Sequence, residues 1–271
     1  MYAESIDKFA KVGALKALAV QRSPLAFLIG AAMAGAYIGF GDILMFSVGA
    51  HVGPAYVHLV MGAVFACALT IVVFAGSDLF TGTAMYMPFA ALRGETGIRG
   101  VLVVWVSCWI GNLLGAIVLA AILYAAGGGV LLTDGSEVFF KAVEAKMSAP
   151  DLPLFAKGLL CNWLVCLAIW MAARTTNDGA KLGLIFWPIF AFVASGFEHS
   201  VANMFAFAVA LMADHPGSIT LAGAIHNEFF VTAGNLVGGA IFMGLGYWLQ
   251  GDGVGHASQT HVPASEQAPT H

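Results

Sequence analysis

Long apolar runs separated by short polar stretches dominate this chain. A helix that crosses the hydrocarbon core of a bilayer needs about 20 consecutive apolar residues. The pattern predicts six such spans, near 25–49, 56–92, 101–126, 153–173, 182–212 and 221–249. The second and fifth are too long for one simple crossing, and each carries polar residues in its middle. Ahead of them, Ile6, Phe9, Val12 and Leu15 recur every three residues among Lys8, Lys11, Lys16 and Arg22. That spacing, with no long apolar core, predicts an amphipathic helix lying on the membrane surface and no signal peptide. The chain thus divides into an interfacial helix at 1–24, a six-span pore domain at 25–250 and a polar tail at 251–271. The tail is rich in Gly, Ser, Pro and His and is expected to be disordered; His256, His261 and His271 are too scattered in it for a metal site. A longer amphipathic stretch, at about 127–152, separates the two halves of the pore domain.

The halves resemble each other in order. Ala75-Gly76-Ser77-Asp78-Leu79-Phe80-Thr81 in the second span has a counterpart in Ala194-Ser195-Gly196-Phe197-Glu198-His199-Ser200 in the fifth. Gly111-Asn112-Leu113-Leu114-Gly115 matches Gly234-Asn235-Leu236-Val237-Gly238. Three spans per half is an odd number, so the second copy is expected upside down relative to the first. Gly and polar residues at matched positions of two overlong spans point to discontinuous helices. Irregular backbone at membrane depth is tolerated only where it is buried in protein or lines a cavity. The expected architecture is therefore an all-α integral membrane protein of six transmembrane helices in two inverted three-helix repeats, with the second and fifth helices broken and a pore where the breaks meet. The Gly-Asn motifs are also GxxxG sequences and read as scaffold, packing helices closely with the Asn side chains bonded across them.

Composition agrees: 60% of the 271 residues are hydrophobic, 10% are charged, and the mean hydropathy is +0.87. Charge so sparse cannot clothe a water-facing surface. The net charge of −4 forms no basic stripe, so no nucleic-acid partner is expected. Cys67, Cys108, Cys161 and Cys166 lie inside apolar runs and read as small buried hydrophobes, not disulfide partners. Lys8, Lys11, Lys16, Arg22, Arg93, Arg99, Arg174 and Lys181 fall on one side of the six spans. Only Lys141, Lys146 and Lys157, mixed with acids, fall on the other. The positive-inside rule then puts both termini in the cytoplasm.

Ionisable residues inside a span are costly and usually face a pathway. His199 is the strongest such candidate, because hydrocarbon offers no water to complete its bonding. Glu198 and Asp78 read equally well as functional groups or as braces of the broken backbone. The second halves of the broken spans, starting just after Thr81 and near His199, aim their partially positive N-termini at the membrane centre. Free N–H groups and a histidine there suit an anion better than a cation.

Several of these segments resemble the formate/nitrite transporter family. They are Gly76-Ser77-Asp78-Leu79-Phe80-Thr81-Gly82, Cys161-Asn162-Trp163-Leu164-Val165-Cys166-Leu167-Ala168, the stretch from Ala194 to Met204, and both Gly-Asn motifs. Lys157-Gly158, Asn162-Trp163-Leu164 and Gly244-Leu245-Gly246-Tyr247-Trp248 are most similar to the family's bacterial nitrite channel branch. The resemblance implies a homopentamer in the bacterial inner membrane, with an aquaporin-like pore in each protomer. It implies that His199 is the central pore histidine, with Thr81 its hydrogen-bond partner. Asn162 and Asn203 would be pore-side asparagines, and Lys146 an outer-vestibule lysine that draws anions in. Phe65 with Phe192, and Leu69 and Phe80 with Val165, would form apolar constrictions on either side of the histidine. No cofactor, metal or catalytic residue is implied.

The expected function is conduction of small monovalent anions of weak acids, nitrite foremost, with formate or hydrosulfide as alternatives. Taking an unpaired charge into low dielectric carries an idealised cost of tens of kcal/mol. Protonating a weak acid whose pKa lies about three to four units below the pH costs only roughly 4–5 kcal/mol. Two schemes follow: a proton delivered at or near His199, or a neutral His199 that only donates to the anion. Two rival classes stand beside the channel. An aquaporin-type pore would carry paired Asn-Pro-Ala motifs, which are absent; Ala202-Asn203-Met204 comes close only once. A membrane enzyme using Glu198 and His199 as acid and base would call for a nucleophile or metal cluster, and neither is recognisable.

Overall fold

In the computed structural model, which describes residues 2–253, the described residues are helical and contain no strand. The N-terminal helix is α1 (Ala3–Arg22), followed by α2 (Pro24–Gly49), which Pro24 opens at a first-turn position where its missing N–H costs nothing. The second apolar run is two helices, α3 (Val57–Ala75) and α4 (Phe80–Leu92), and α5 (Ile98–Ala125) crosses back. Two short helices, α6 (Gly129–Leu132) and α7 (Ser136–Met147), form the amphipathic connection. Then come α8 (Asp151–Ala172), the broken pair α9 (Asp178–Ala194) and α10 (Ser200–Met212), and α11 (Leu221–Val237). The last helix runs on as a wider, π-wound stretch over Gly238–Leu245 and again over Leu249–Gly253. The expected tail therefore yields residues 251–253 to that helix, and the rest of it, with its three histidines, lies outside the described residues.

Among the described residues, five helices are long and apolar enough to cross a membrane: α2, α3, α5, α8 and the last helix. Their outer faces carry Leu25, Ile29, Leu102, Val106, Ile122, Ile225 and Phe229, all strongly exposed. Exposed apolar surface on this scale fits a lipid solvent.

Both breaks obey the same local rule. Helix α3 ends at Gly76 in the left-handed region (φ +74°), and α9 ends beside Gly196 in the same region (φ +70°). Glycine adopts that conformation without steric cost, so each helix stops there. After each stop the chain extends through Leu79 (φ −95°, ψ 126°) or His199 (φ −112°, ψ 115°) and re-enters a helix. Helix α4 thus starts at Phe80, which puts Thr81 inside its first turn and not ahead of it.

The Gly-Asn motifs hold the long helices close. A Cβ on Gly115 would collide with the Ala32 carbonyl oxygen of α2, and one on Gly238 with the Leu159 carbonyl oxygen of α8. Helix α1 packs on α4 through Phe9, which stacks on Tyr86 at 5.3 Å between ring centroids. Ile6, Phe9, Ala10, Gly13, Ala17 and Val20 are buried, so its apolar face meets protein. Polar ties fix its rim: Arg93 to Asp7 at 2.8 Å, Lys8 to the Ala173 carbonyl at 2.9 Å, and Arg174 to Ser5 at 3.1 Å.

Candidate functional site

The breaks meet in the interior, each braced by the asparagine of one Gly-Asn motif. Asn112 donates to the carbonyls of Ala31 (2.7 Å) and Asp78 (2.9 Å) and accepts from the Phe80 amide (2.8 Å). Asn235 donates to the carbonyls of Gly158 (2.7 Å) and Glu198 (3.1 Å) and accepts from the Ser200 amide (3.0 Å). Bond for bond, the two braces are the same. Each satisfies the carbonyl two residues before a half-helix and the first amide of that half-helix, which would otherwise stay orphaned.

Each break also carries an acid paired with a lysine from another helix. Asp78 pairs with Lys16 of α1, and Glu198 pairs with Lys146 of α7 at 2.8 Å. Glu198 takes a second bond, from Asn203 Nδ2 at 2.8 Å, on the same oxygen, Oε2. Asn203 also donates to Asn227 (2.8 Å), which in turn donates to the Lys146 carbonyl (2.9 Å). These bonds make Glu198 and Asp78 braces as well as charges. Cys108 and Cys166 add weak S–H donors to the first broken segment, to the carbonyls of Asp78 (3.2 Å) and Thr81 (3.3 Å).

His199 caps α10: its Nδ1 accepts the Ala202 amide at 3.2 Å. An Nδ1 occupied as acceptor leaves the proton of a neutral ring on Nε2. That Nε2 lies 3.2 Å from Thr81 Oγ1, so one hydrogen bond links the two breaks. Both side chains are buried.

A cavity of about 250 Å³ leads to His199 from the side of α7, past Lys146, Lys157, Glu198 and Asn203. Phe65 and Phe192 line it with rings edge to face at 6.0 Å, and Phe192 lies 6.0 Å from the His199 ring. The geometry brings His199, Thr81, Glu198, Lys146, Asn203, Phe65 and Phe192 to one region. Leu69, Phe80 and Val165 are buried but do not line this cavity, and neither does Asn162. Asn162 instead donates to the carbonyls of Thr81 (3.1 Å) and Asn235 (2.6 Å), tying the first break to the last helix.

Three ionisable cavity-lining residues fell outside the sequence-derived site: Lys157, His58 and Asp42. Lys157 counted toward orientation and toward the family resemblance but not as a site residue, and His58 sits at a helix start with no motif around it. Asp42 was the detectable omission, because it is the one acidic residue of α2.

The family model described as formate/nitrite transporter matches residues 3–249. The nitrite transporter NirC of Escherichia coli (strain K12) is 47% identical over 248 residues, covering 92% of each chain. A solved structure described as an FNT family ion channel matches with a TM-score of 0.88 and 46% identity, over 91% of this chain and 98% of the other. A pentameric formate channel with formate bound matches with a TM-score of 0.69 and 31% identity, over 83% and 96%.

Proposed function

The chain belongs to the formate/nitrite transporter family, and from that premise we propose that it conducts small monovalent anions of weak acids through a membrane, nitrite first. Formate is the second reading, favoured by the likeness to the formate-bound channel. We read the pore domain as six crossings in two inverted repeats, aquaporin-like in plan, with α3/α4 and α9/α10 as the broken pair. The matched glycines, extended entry residues, asparagine braces and lysine–acid pairs support that reading. Parity supports it too. Tyr2 and Tyr247 stack edge to face at 5.5 Å, so the two ends of the described chain share one side of the membrane. On this reading an even number of crossings joins them. With five long helices, the sixth crossing falls to α9 and α10 together. The assembly is a homopentamer in a bacterial inner membrane with both termini cytoplasmic, and its activity is transport without catalytic turnover.

One observation carries the assignment of the site: the Thr81–His199 bond joins two half-helix N-termini at the end of a cavity flanked by two lysines. Lys146 and Lys157 raise the local anion concentration. Phe65 and Phe192 strip water from the cargo on one side of His199, and Leu69, Phe80 and Val165 form the facing constriction. Asn203, Asn162 and Glu198 hold the lining in place. Of the two roles open to His199, the helix cap favours the neutral donor, because protonating Nδ1 breaks the bond from Ala202. The anion gathers at the lysines, crosses the apolar rings as the neutral acid, and meets the His199–Thr81 pair and the half-helix dipoles at the centre.

Nitrite and formate uptake by proteoliposomes, across pH 5 to 8 and with His199→Asn, tests this function. Asparagine still caps a helix but does not reach as far as an imidazole Nε2. The expected result is fast nitrite flux that rises with acidity and is altered in the variant. Formate moving much faster than nitrite reverses the choice of cargo. No flux of either anion overturns the channel reading.

A further inference from the structure

Asp42 projects from α2 into the cavity that leads to His199, and it is 1% exposed. Its Oδ2 has no hydrogen-bond partner, whereas Glu198, the other acid in the cavity, is held by Lys146 and Asn203. An unpaired carboxylate in a cavity that gathers anions is out of place on two counts. Burying the bare charge is costly, and the charge repels the cargo. As a neutral acid the same side chain is an O–H donor facing an incoming anion. We propose that Asp42 is the proton-loading carboxyl of this entrance: it hands its proton to the arriving weak-acid anion before the Phe65–Phe192 constriction and is reloaded from solution.

The other titratable groups facing this cavity are His58 of α3, Lys146 of α7, Lys157 of α8, and Glu198 and His199 of the second break. None of them fills the role. His199 has Nδ1 committed to the Ala202 amide, Glu198 is held as a bound carboxylate, and the lysines serve as the attracting charges. His58 lines the same cavity but is exposed, not buried within it. In the step itself, the Asp42 O–H bond breaks and an O–H bond forms on the anion. The electron pair stays on Asp42, where the cationic lysines of the cavity offset it. The neutral acid moves on, and a proton from solution restores the carboxyl.

The inference rests on the transport reading, and two measurements separate them. The first is nitrite flux in proteoliposomes at about pH 5.5 and 7.5 for wild type, Asp42→Asn and Asp42→Glu. A loaded donor makes flux fall less steeply as pH rises, about tenfold over these two units, whereas protons taken directly from solution become tenfold scarcer with each unit. Asp42→Asn should match wild type at the acidic pH and fall about tenfold below it at pH 7.5, with Asp42→Glu restoring the profile. Identical profiles for wild type and Asp42→Asn overturn the proposal. The second is infrared spectroscopy of the purified protein, which reads the carboxyl whatever the cargo. A carboxylic-acid carbonyl band at neutral pH that is lost in Asp42→Asn is expected, and its absence from wild type overturns the proposal. A wild type that passes no weak-acid anion overturns the transport reading itself.

Discussion

Replacing Asn235 with alanine should unfold the second break, and the size of the effect can be worked bond by bond. The side chain makes three hydrogen bonds, to the carbonyls of Gly158 and Glu198 and from the Ser200 amide. A neutral hydrogen bond contributes about 1 kcal/mol net, and a buried backbone group left unpaired costs about 1–3 kcal/mol. Relaxation of the loop recovers part of this, leaving a loss of roughly 3–6 kcal/mol. At about 2–4 °C per kcal/mol for a chain of this size, the midpoint should fall by roughly 6–24 °C. Cys108, Cys161 and Cys166 are buried free thiols, so a thiol-reactive dye added during heating in detergent reports their exposure. Asn112→Ala should behave alike, because its bonds match. Asn177→Ala, which removes one exposed helix cap, is the control and should cost only about 1 kcal/mol. If both interior variants melted within about 3 °C of wild type, the reading of these asparagines as braces would be wrong.

Two further outcomes follow from the cavity and its end point. Lys146→Met removes one of two lysines lining the entrance and one of two donors to Glu198; nitrite uptake at low salt should drop severalfold and become less sensitive to ionic strength, and an unchanged salt dependence would remove Lys146 from the entry path. Thr81→Val keeps the shape but deletes the bond to His199; losing about 1 kcal/mol at the crossing point should slow flux about fivefold, with Thr81→Ser restoring it, as stopped-flow measurements can resolve.

Much of this arrangement was legible in the residues. Overlong apolar runs with glycine and polar centres located both breaks, and the matched Gly-Asn motifs located their braces. His199 stood out because an imidazole at membrane depth needs a reason. The rest was hidden for physical causes. Helical spacing reveals which residues share a face but not which cavity that face lines, so Lys157 and His58 carried no distinguishing mark. Nor does a sequence show which partner an ion pair will choose: Lys16 looked like a surface charge of an interfacial helix, yet it reaches the acid of the first break. Asp42 should have been weighed as His199 was, but no motif surrounds it and the second half holds no counterpart.

The double duty proposed for His199 limits what evolution can put at that position. A helix start accepts a short list of side chains, those with an acceptor close to the backbone: Asn, Asp, Ser and Thr. The pore centre asks for a different list, side chains that present an uncharged N–H donor well away from the backbone. Asparagine satisfies the first demand and falls short of the second; glutamine does the reverse. Imidazole, with an acceptor near Cβ and a donor across the ring, satisfies both. A mutational scan scored for folding alone should therefore find position 199 permissive, while the same scan scored for flux should find it nearly closed, and the gap between the two scores would measure how much of its constraint belongs to transport.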